Sequence, residues 1–208
     1  MTIKRAAPKR CGGAVLLALA ALAVAFTLDN SARAYDAEAG RLKAEEECAG
    51  CHGPQGNSQT AGIPSLAGQL PRYTILALFQ FRAGHRKSEQ MTPVAAELSD
   101  DDLGNLAEYY ATQKPAPPAR STDPQNAAAA RRLAEADQCT QCHGPGLAGQ
   151  EHIPRLAGQD FEYLQQQLRG FKAATRGDID GNMTSAAQPL SDADIDLLAN
   201  YLSTLSPS

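Results

Sequence analysis

The hydrophobic pattern changes character along the chain. Residues 11–26, CGGAVLLALAALAVAF, form an almost unbroken apolar run behind the basic residues Lys4, Arg5, Lys9 and Arg10. From residue 36 onward the apolar positions fall three and four apart, the spacing that lines one face of a helix. Leu70, Tyr73, Ala77, Leu78 and Phe81 make such a face and predict a helix over about 70–83, with a second copy over 160–173. Nowhere after the apolar run do Val, Ile and Thr alternate with polar residues as they would in a half-buried strand. Gly- and Pro-rich loops separate the periodic segments. The predicted fold class is all-α.

Boundary signals sharpen these helices. Asp36 stands as an N-cap before AEAGRLKAEEE, and Asp123 caps an alanine-rich run with Pro124 at the first helical position. Ser99 and Ser191 are each followed three residues later by an aspartate, the arrangement of a capping box before a final helix. The apolar run at 11–26 is shorter than the roughly 20 residues that span a bilayer. With the basic residues before it and the small-x-small ARA at 32–34 after it, the run is expected to be the core of a secretory signal peptide, residues 1–34, cut after Ala34. Cys11 would leave with it, and the mature protein would be exported to the periplasm.

Cleavage changes the charge. Five of the 19 basic and one of the 23 acidic residues lie in the leader, so 14 basic against 22 acidic remain, a net charge of about −8. That balance argues against nucleic acid and anionic membrane surfaces, which require a basic face. It suits a cationic docking surface on a protein partner.

The remainder is a tandem repeat. IPSLAGQ at 63–69 returns as IPRLAGQ at 153–159, and Tyr73, Leu78 and Phe81 return as Tyr163, Leu168 and Phe171. LSDDDL at 98–103 returns as LSDADI at 190–195. Order is kept and the register drifts only from 90 to 92 residues. The domains are placed at 35–114 and 123–208, with residues 115–122 a Pro-rich, extended linker short enough to keep them in contact. Each unit is small, with few aromatics and no tryptophan, so its side-chain core must be thin and something else is expected to fill its centre.

CAGCHG at 48–53 and CTQCHG at 139–144 supply a candidate. A C-x-x-C pair serves as a redox dithiol, as half of a zinc site, or as a haem anchor. The dithiol belongs in a βαβ setting that this chain lacks. A zinc site would place its second pair within about 15–20 residues, not some 90 away. C-x-x-C-H in an exported chain is the attachment signature of c-type haem: Cys48 and Cys51, or Cys139 and Cys142, bond the porphyrin, and His52 or His143 faces the iron. Two covalently attached haem c groups are therefore expected.

A second axial ligand follows from a count. Apart from Met1 the chain has two methionines, Met91 and Met183, placed 39 and 40 residues after the motif histidines. One methionine alone would be core filling. One per repeat, in register, makes them the expected sixth ligands, and a thioether opposite imidazole raises the potential and closes the iron to small molecules. His85 and His152 have no counterparts in the other repeat and read as exposed polar residues, although His85, with Arg82 or Arg86, is a candidate for contact with a haem propionate. DIDGN at 178–182 has something of a calcium loop but lacks its downstream ligands, and reads as a turn.

The duplicated order C-x-x-C-H-G, I-P-x-L-A-G-Q, a Tyr-bearing helix, a methionine and L-S-D-x-D resembles the dihaem cytochrome c4 family over essentially the whole mature chain. The resemblance implies two class I cytochrome c domains, each a small helical bundle around its haem, packed near the propionates about a pseudo-twofold axis. It also implies that Pro64 and Pro154 offer the carbonyls that accept the Nδ1–H of the ligand histidines. Members of that family are periplasmic electron carriers. The expected donor is a quinol-oxidising cytochrome complex and the expected acceptor a terminal oxidase, with no residue acting as a catalyst on a substrate and peripheral contact with the membrane at most. Two alternatives stay open: the cytochrome subunit of a periplasmic dehydrogenase oxidising sulfide, thiosulfate or an alcohol, and, ranked last, a dihaem peroxidase, which would need an open axial site.

Overall fold

A computed structural model describes residue 2 and residues 34–207. The expected signal peptide, with Cys11, lies outside the described residues except for Thr2 and Ala34. From Tyr35 onward the chain is one compact unit. Among the described residues there is no strand, only an isolated bridge between Gln150 and Ile153.

Each half runs through helices in the same order. The first contains α1 (Ala37–Lys43), α2 (Ala49–His52), α3 (Pro71–Arg82), α4 (Met91–Ala96) and α5 (Asp100–Thr112). The second contains α6 (Pro124–Ala136), α7 (Cys139–His143), α8 (Phe161–Lys172), α9 (Asn182–Ala187) and α10 (Asp192–Thr204). The capping residues act as the sequence predicts. Asp36 accepts from the Glu38 and Ala39 amides at 2.8 and 3.2 Å, and Asp123 from the Gln125 and Asn126 amides. Ser99 with Asp102 and Ser191 with Asp194 close complete capping boxes on α5 and α10. The entries to the two cysteine motifs differ. In the first half a π-helical turn, Ala44–Cys48, joins α1 to α2 without a break. In the second, α6 stops and Gln138 takes a left-handed conformation before Cys139.

The first and last helices of each half cross, α1 on α5 and α6 on α10, and α3 and α8 pack beside them. Leu98, Leu103, Leu106, Tyr109 and Tyr110 form the first core, joined by the half-buried Cys48. Phe171, Leu190, Ile195 and Leu198 form the second, joined by Cys139 and Met183. Both cores abut the cysteine motifs. The α1–α5 crossing depends on Gly40, where a Cβ would stand 2.0 Å from the Asn105 carbonyl oxygen. Backbone cannot yield as a side chain does, so Gly40→Ala is expected to cost at least about 1–3 kcal/mol, read as a lowered denaturation midpoint of the holoprotein.

The halves meet in a reciprocal seam. The Gln69 side chain donates to the Arg155 carbonyl at 3.2 Å and accepts from the Arg155 amide at 2.9 Å. Gln159 does the same to Ser65, donating to its carbonyl at 2.9 Å and accepting from its amide at 2.8 Å. Both pairs relate by the same 90-residue shift, so the contact obeys a local twofold. The linker is strapped to both halves: Ala116 donates to Asn57 at 2.7 Å, and Arg120 lies 4.2 Å over the Phe161 ring.

Candidate haem sites

The short helices α2 and α7 set the cysteine and histidine geometry. Cys48 and Cys139 are half-buried and Cys51 and Cys142 exposed, and no disulfide joins any of the four. The histidine at the end of each helix points inward, with His52 6% and His143 5% exposed. The chain then reverses through Gly53, whose φ of 76° and Cβ position 2.1 Å from the Asn57 carbonyl oxygen admit no side chain. This explains the glycine after the motif histidine.

Each imidazole is held from behind. His52 Nδ1 lies 2.8 Å from the Pro64 carbonyl oxygen, and His143 Nδ1 lies 2.9 Å from that of Pro154. A carbonyl only accepts, so Nδ1 carries the proton and the Nε2 lone pair is left for a metal. Burial lowers both imidazole pKa values, which keeps the rings neutral as a ligand requires. Among the described residues no three His, Cys, Asp or Glu side chains converge as a zinc site would need.

The methionines open the short fourth helix of each half. Met91 is the first residue of α4 and Met183 the second of α9, and both are half-buried. The Met91 amide donates to Ser88 Oγ at 3.1 Å, and the Met183 amide to an Asp178 carboxylate oxygen at 2.6 Å. His85 and His152 are exposed. Arg82 is engaged by the Leu98 carbonyl and Asp100.

A cluster of arginines at the seam bears directly on the cofactor. Arg86, on the first half, donates to Tyr163 Oη at 2.8 Å and Gln167 at 3.0 Å on the second. It also stacks 4.4 Å over its own Phe81, as Arg176 stacks 4.2 Å over Phe171. Arg155 is 2% exposed and donates to the carbonyls of Ala67, at 2.8 Å, and Ala157. None of the three forms an ion pair among those of the described residues, and Nε of both Arg155 and Arg176 is buried without a partner. Burial lowers the pKa of Arg155, and burial together with nearby Arg86 lowers that of Arg176. Buried cations without an acid are costly. A prosthetic group with carboxylates would satisfy them, and paired thiols beside an inward histidine fit the same group.

Fold and sites together define a tandem c-type cytochrome. Residues 127–206 match the family described as cytochrome c, and residues 36–109 that described as cytochrome C oxidase, cbb3-type, subunit III. Over 182 residues the chain is 42% identical to cytochrome c4 of Thiocapsa roseopersicina, covering 82% of this chain and 93% of that one. Against the thiosulfate dehydrogenase electron acceptor of Thiomonas intermedia identity is 35% over 174 residues, 77% of this chain and 80% of the other. The crystal structure of reduced cytochrome c4 from Pseudomonas stutzeri superposes with a TM-score of 0.75 at 36% identity, covering 82% of this chain and 98% of that one. The chain belongs to the cytochrome c4 family. Its two C-x-x-C pairs are the attachment points of covalently bound haem c, and its work is electron transfer.

Proposed function

We propose that the chain is an exported single-electron carrier in which His52 and Met91 of the first half and His143 and Met183 of the second would each hold one haem iron, with domains at 35–114 and 123–208. The observation that carries this reading is the pair of buried histidines, each turned by a proline carbonyl so that Nε2 faces inward, in halves that hold one methionine apiece. Haem supplies the reversible one-electron couple. The protein orients the imidazoles through Pro64 and Pro154, excludes water with the two cores, and balances charge with Arg86, Arg155 and Arg176. A thioether ligand favours reduced iron and raises the potential.

The proposed setting is the periplasm, between a quinol-oxidising cytochrome complex and a terminal oxidase. No helix among the described residues is long and apolar enough to cross a membrane, and the net charge of about −8 after the predicted cleavage suits a cationic docking face on the partner. A second reading is favoured by the likeness to the Thiomonas electron acceptor: the chain takes electrons from a thiosulfate-oxidising dehydrogenase. Isolation of the protein from its native membrane and periplasmic fractions separates the two. A free protein reduced by quinol-oxidising membranes and oxidised by oxidase supports the first, and a stoichiometric dehydrogenase partner supports the second.

A further inference from the structure

The loops that carry the two methionines are fastened differently. In the first half Ser88 Oγ accepts from the Met91 amide at 3.1 Å, and the Ser88 amide donates to Thr92 Oγ1 at 3.0 Å. In the second, one carboxylate makes both bonds: Asp178 Oδ2 accepts from the Met183 amide and Oδ1 from the Thr184 hydroxyl, each at 2.6 Å. Ser88 and Asp178 correspond by the 90-residue shift that also relates the seam arginines Arg86 and Arg176, whereas the methionines are 92 apart. The two additional residues therefore lie between fastener and methionine. They are taken up by a left-handed turn at Gly181, and Asp180 caps that turn on Asn182 at 2.6 and 3.2 Å. The longer loop has kept its hold on the methionine and changed a hydroxyl for a carboxylate.

The chemistry of the two fasteners is unequal. Hydrogen bonds to a carboxylate are shorter than neutral ones and about twice as strong. Asp178 also takes both donors of the Met-Thr pair on one side chain, which fixes the first turn of α9 from a single anchor. Ser88 accepts one bond through its hydroxyl and gives one through its backbone amide, and its carbonyl accepts a third from the Thr92 amide at 3.0 Å, but all three are bonds between neutral groups.

We propose that Asp178 and Ser88 are positioning residues for the two sulfur ligands, and that the weaker hydroxyl latch makes Met91 the more easily displaced of the pair. The inference rests on the assignment of Met91 and Met183 as axial ligands. It makes the two sites unequal in ligand exchange although their ligand sets are identical.

The test uses the holoprotein with one methionine removed at a time. The oxidised Met183→Ala protein reports on Met91 alone, and Met91→Ala on Met183 alone, through the sulfur-to-iron charge-transfer band. Imidazole is added and loss of the band is followed. Met91 is expected to give way at about tenfold lower imidazole than Met183, the equilibrium change that a bond to a charged group is worth beyond one to a neutral hydroxyl. Adding Asp178→Ala to the Met91→Ala protein lowers its midpoint by about tenfold or more. Asp178→Ser brings it to the Met91 value, and Ser88→Asp in the Met183→Ala protein raises it. The thermal midpoint is measured alongside, since general loosening would move it in proportion and loss of a latch would not. Equal imidazole midpoints in the two single-methionine proteins, or no response to Asp178→Ala, overturn the proposal. A Met91→Ala protein that lacks the band before any imidazole is added overturns the ligand assignment instead.

Discussion

Met183→Ala is expected to strip the sulfur-to-iron charge-transfer band from one haem and leave the other spectrum intact, with Met91→Ala giving the mirror result. Neither half holds a second thioether, because Met91 and Met183 are the chain's methionines outside position 1. The nearest histidines that could replace them are not at hand: His85 and His152 are exposed, and the buried imidazoles face the other way, tied to proline carbonyls. The vacated position should therefore admit carbon monoxide in the reduced variant at one haem, while reduced wild type takes it up at neither. The potential of the altered site should fall, since the ligand that favours ferrous iron is gone. Loss of both bands on one substitution, or carbon monoxide uptake by wild type at both haems, would show that the methionines do not serve one haem each.

The second large effect is on the seam. Gln69→Ala combined with Gln159→Ala removes the four hydrogen bonds that these side chains make across the seam and leaves the amides and carbonyls of Ser65 and Arg155 without those partners. An unsatisfied buried polar group costs about 1–3 kcal/mol; Arg155 is buried and Ser65 only half-buried, so the pair should lose on the order of 2–6 kcal/mol of inter-half stabilisation, carried mainly by the two Arg155 groups. A loss of that size rivals what holds two small domains together. Calorimetry of the doubly substituted holoprotein should resolve two transitions where wild type gives one. A single transition at an unchanged temperature would mean that the remaining contacts, those of Arg86 with Tyr163 and Gln167, Arg155 with Ala67, and Gly62 with Asp160, carry the interface.

These effects also mark where sequence reasoning reaches and where it stops. The helices around 70–83 and 160–173 were legible because their apolar spacing is local, and they appear as Pro71–Arg82 and Phe161–Lys172. The capping serines were legible for the same reason, since cap and partner are three residues apart. The cysteine motifs were legible because covalent attachment and ligation demand a fixed local spacing. Pro64 and Pro154 came only from a family likeness, as nothing in a lone proline announces that its carbonyl will stand 2.8–2.9 Å from a histidine.

The arginine cluster escaped as a cluster, with Arg86 picked out only as a candidate companion of His85 at a propionate. Arg86, Arg155 and Arg176 are polar residues in loops, where a solvated side chain is the ordinary outcome, and the contacts of Arg86 with Tyr163 and of Arg155 with Ala67 exist only once the halves dock. A signal was present all the same. Phe81 and Arg86 repeat as Phe171 and Arg176 at the shift of the I-P-x-L-A-G-Q motif, so a matched ring and cation could have been picked out together. Asp178 was lost in a segment that reads correctly as a turn, because a turn and a latch look alike until the amide it binds is known. The π-helical turn at Ala44–Cys48 has no sequence signature that we can identify.

The glutamine seam carries one further consequence. Across the seam each glutamine grips only backbone atoms, those of the residue after the proline, so the side chain at that position is free to be serine in one half and arginine in the other. Residue i of one half meets residue j of the other, and j meets i in return. That is the isologous geometry of a surface that is its own complement. A single half thus presents both faces of the contact, and the segment that joins the halves, besides its own contacts with each, raises the effective concentration of one face at the other.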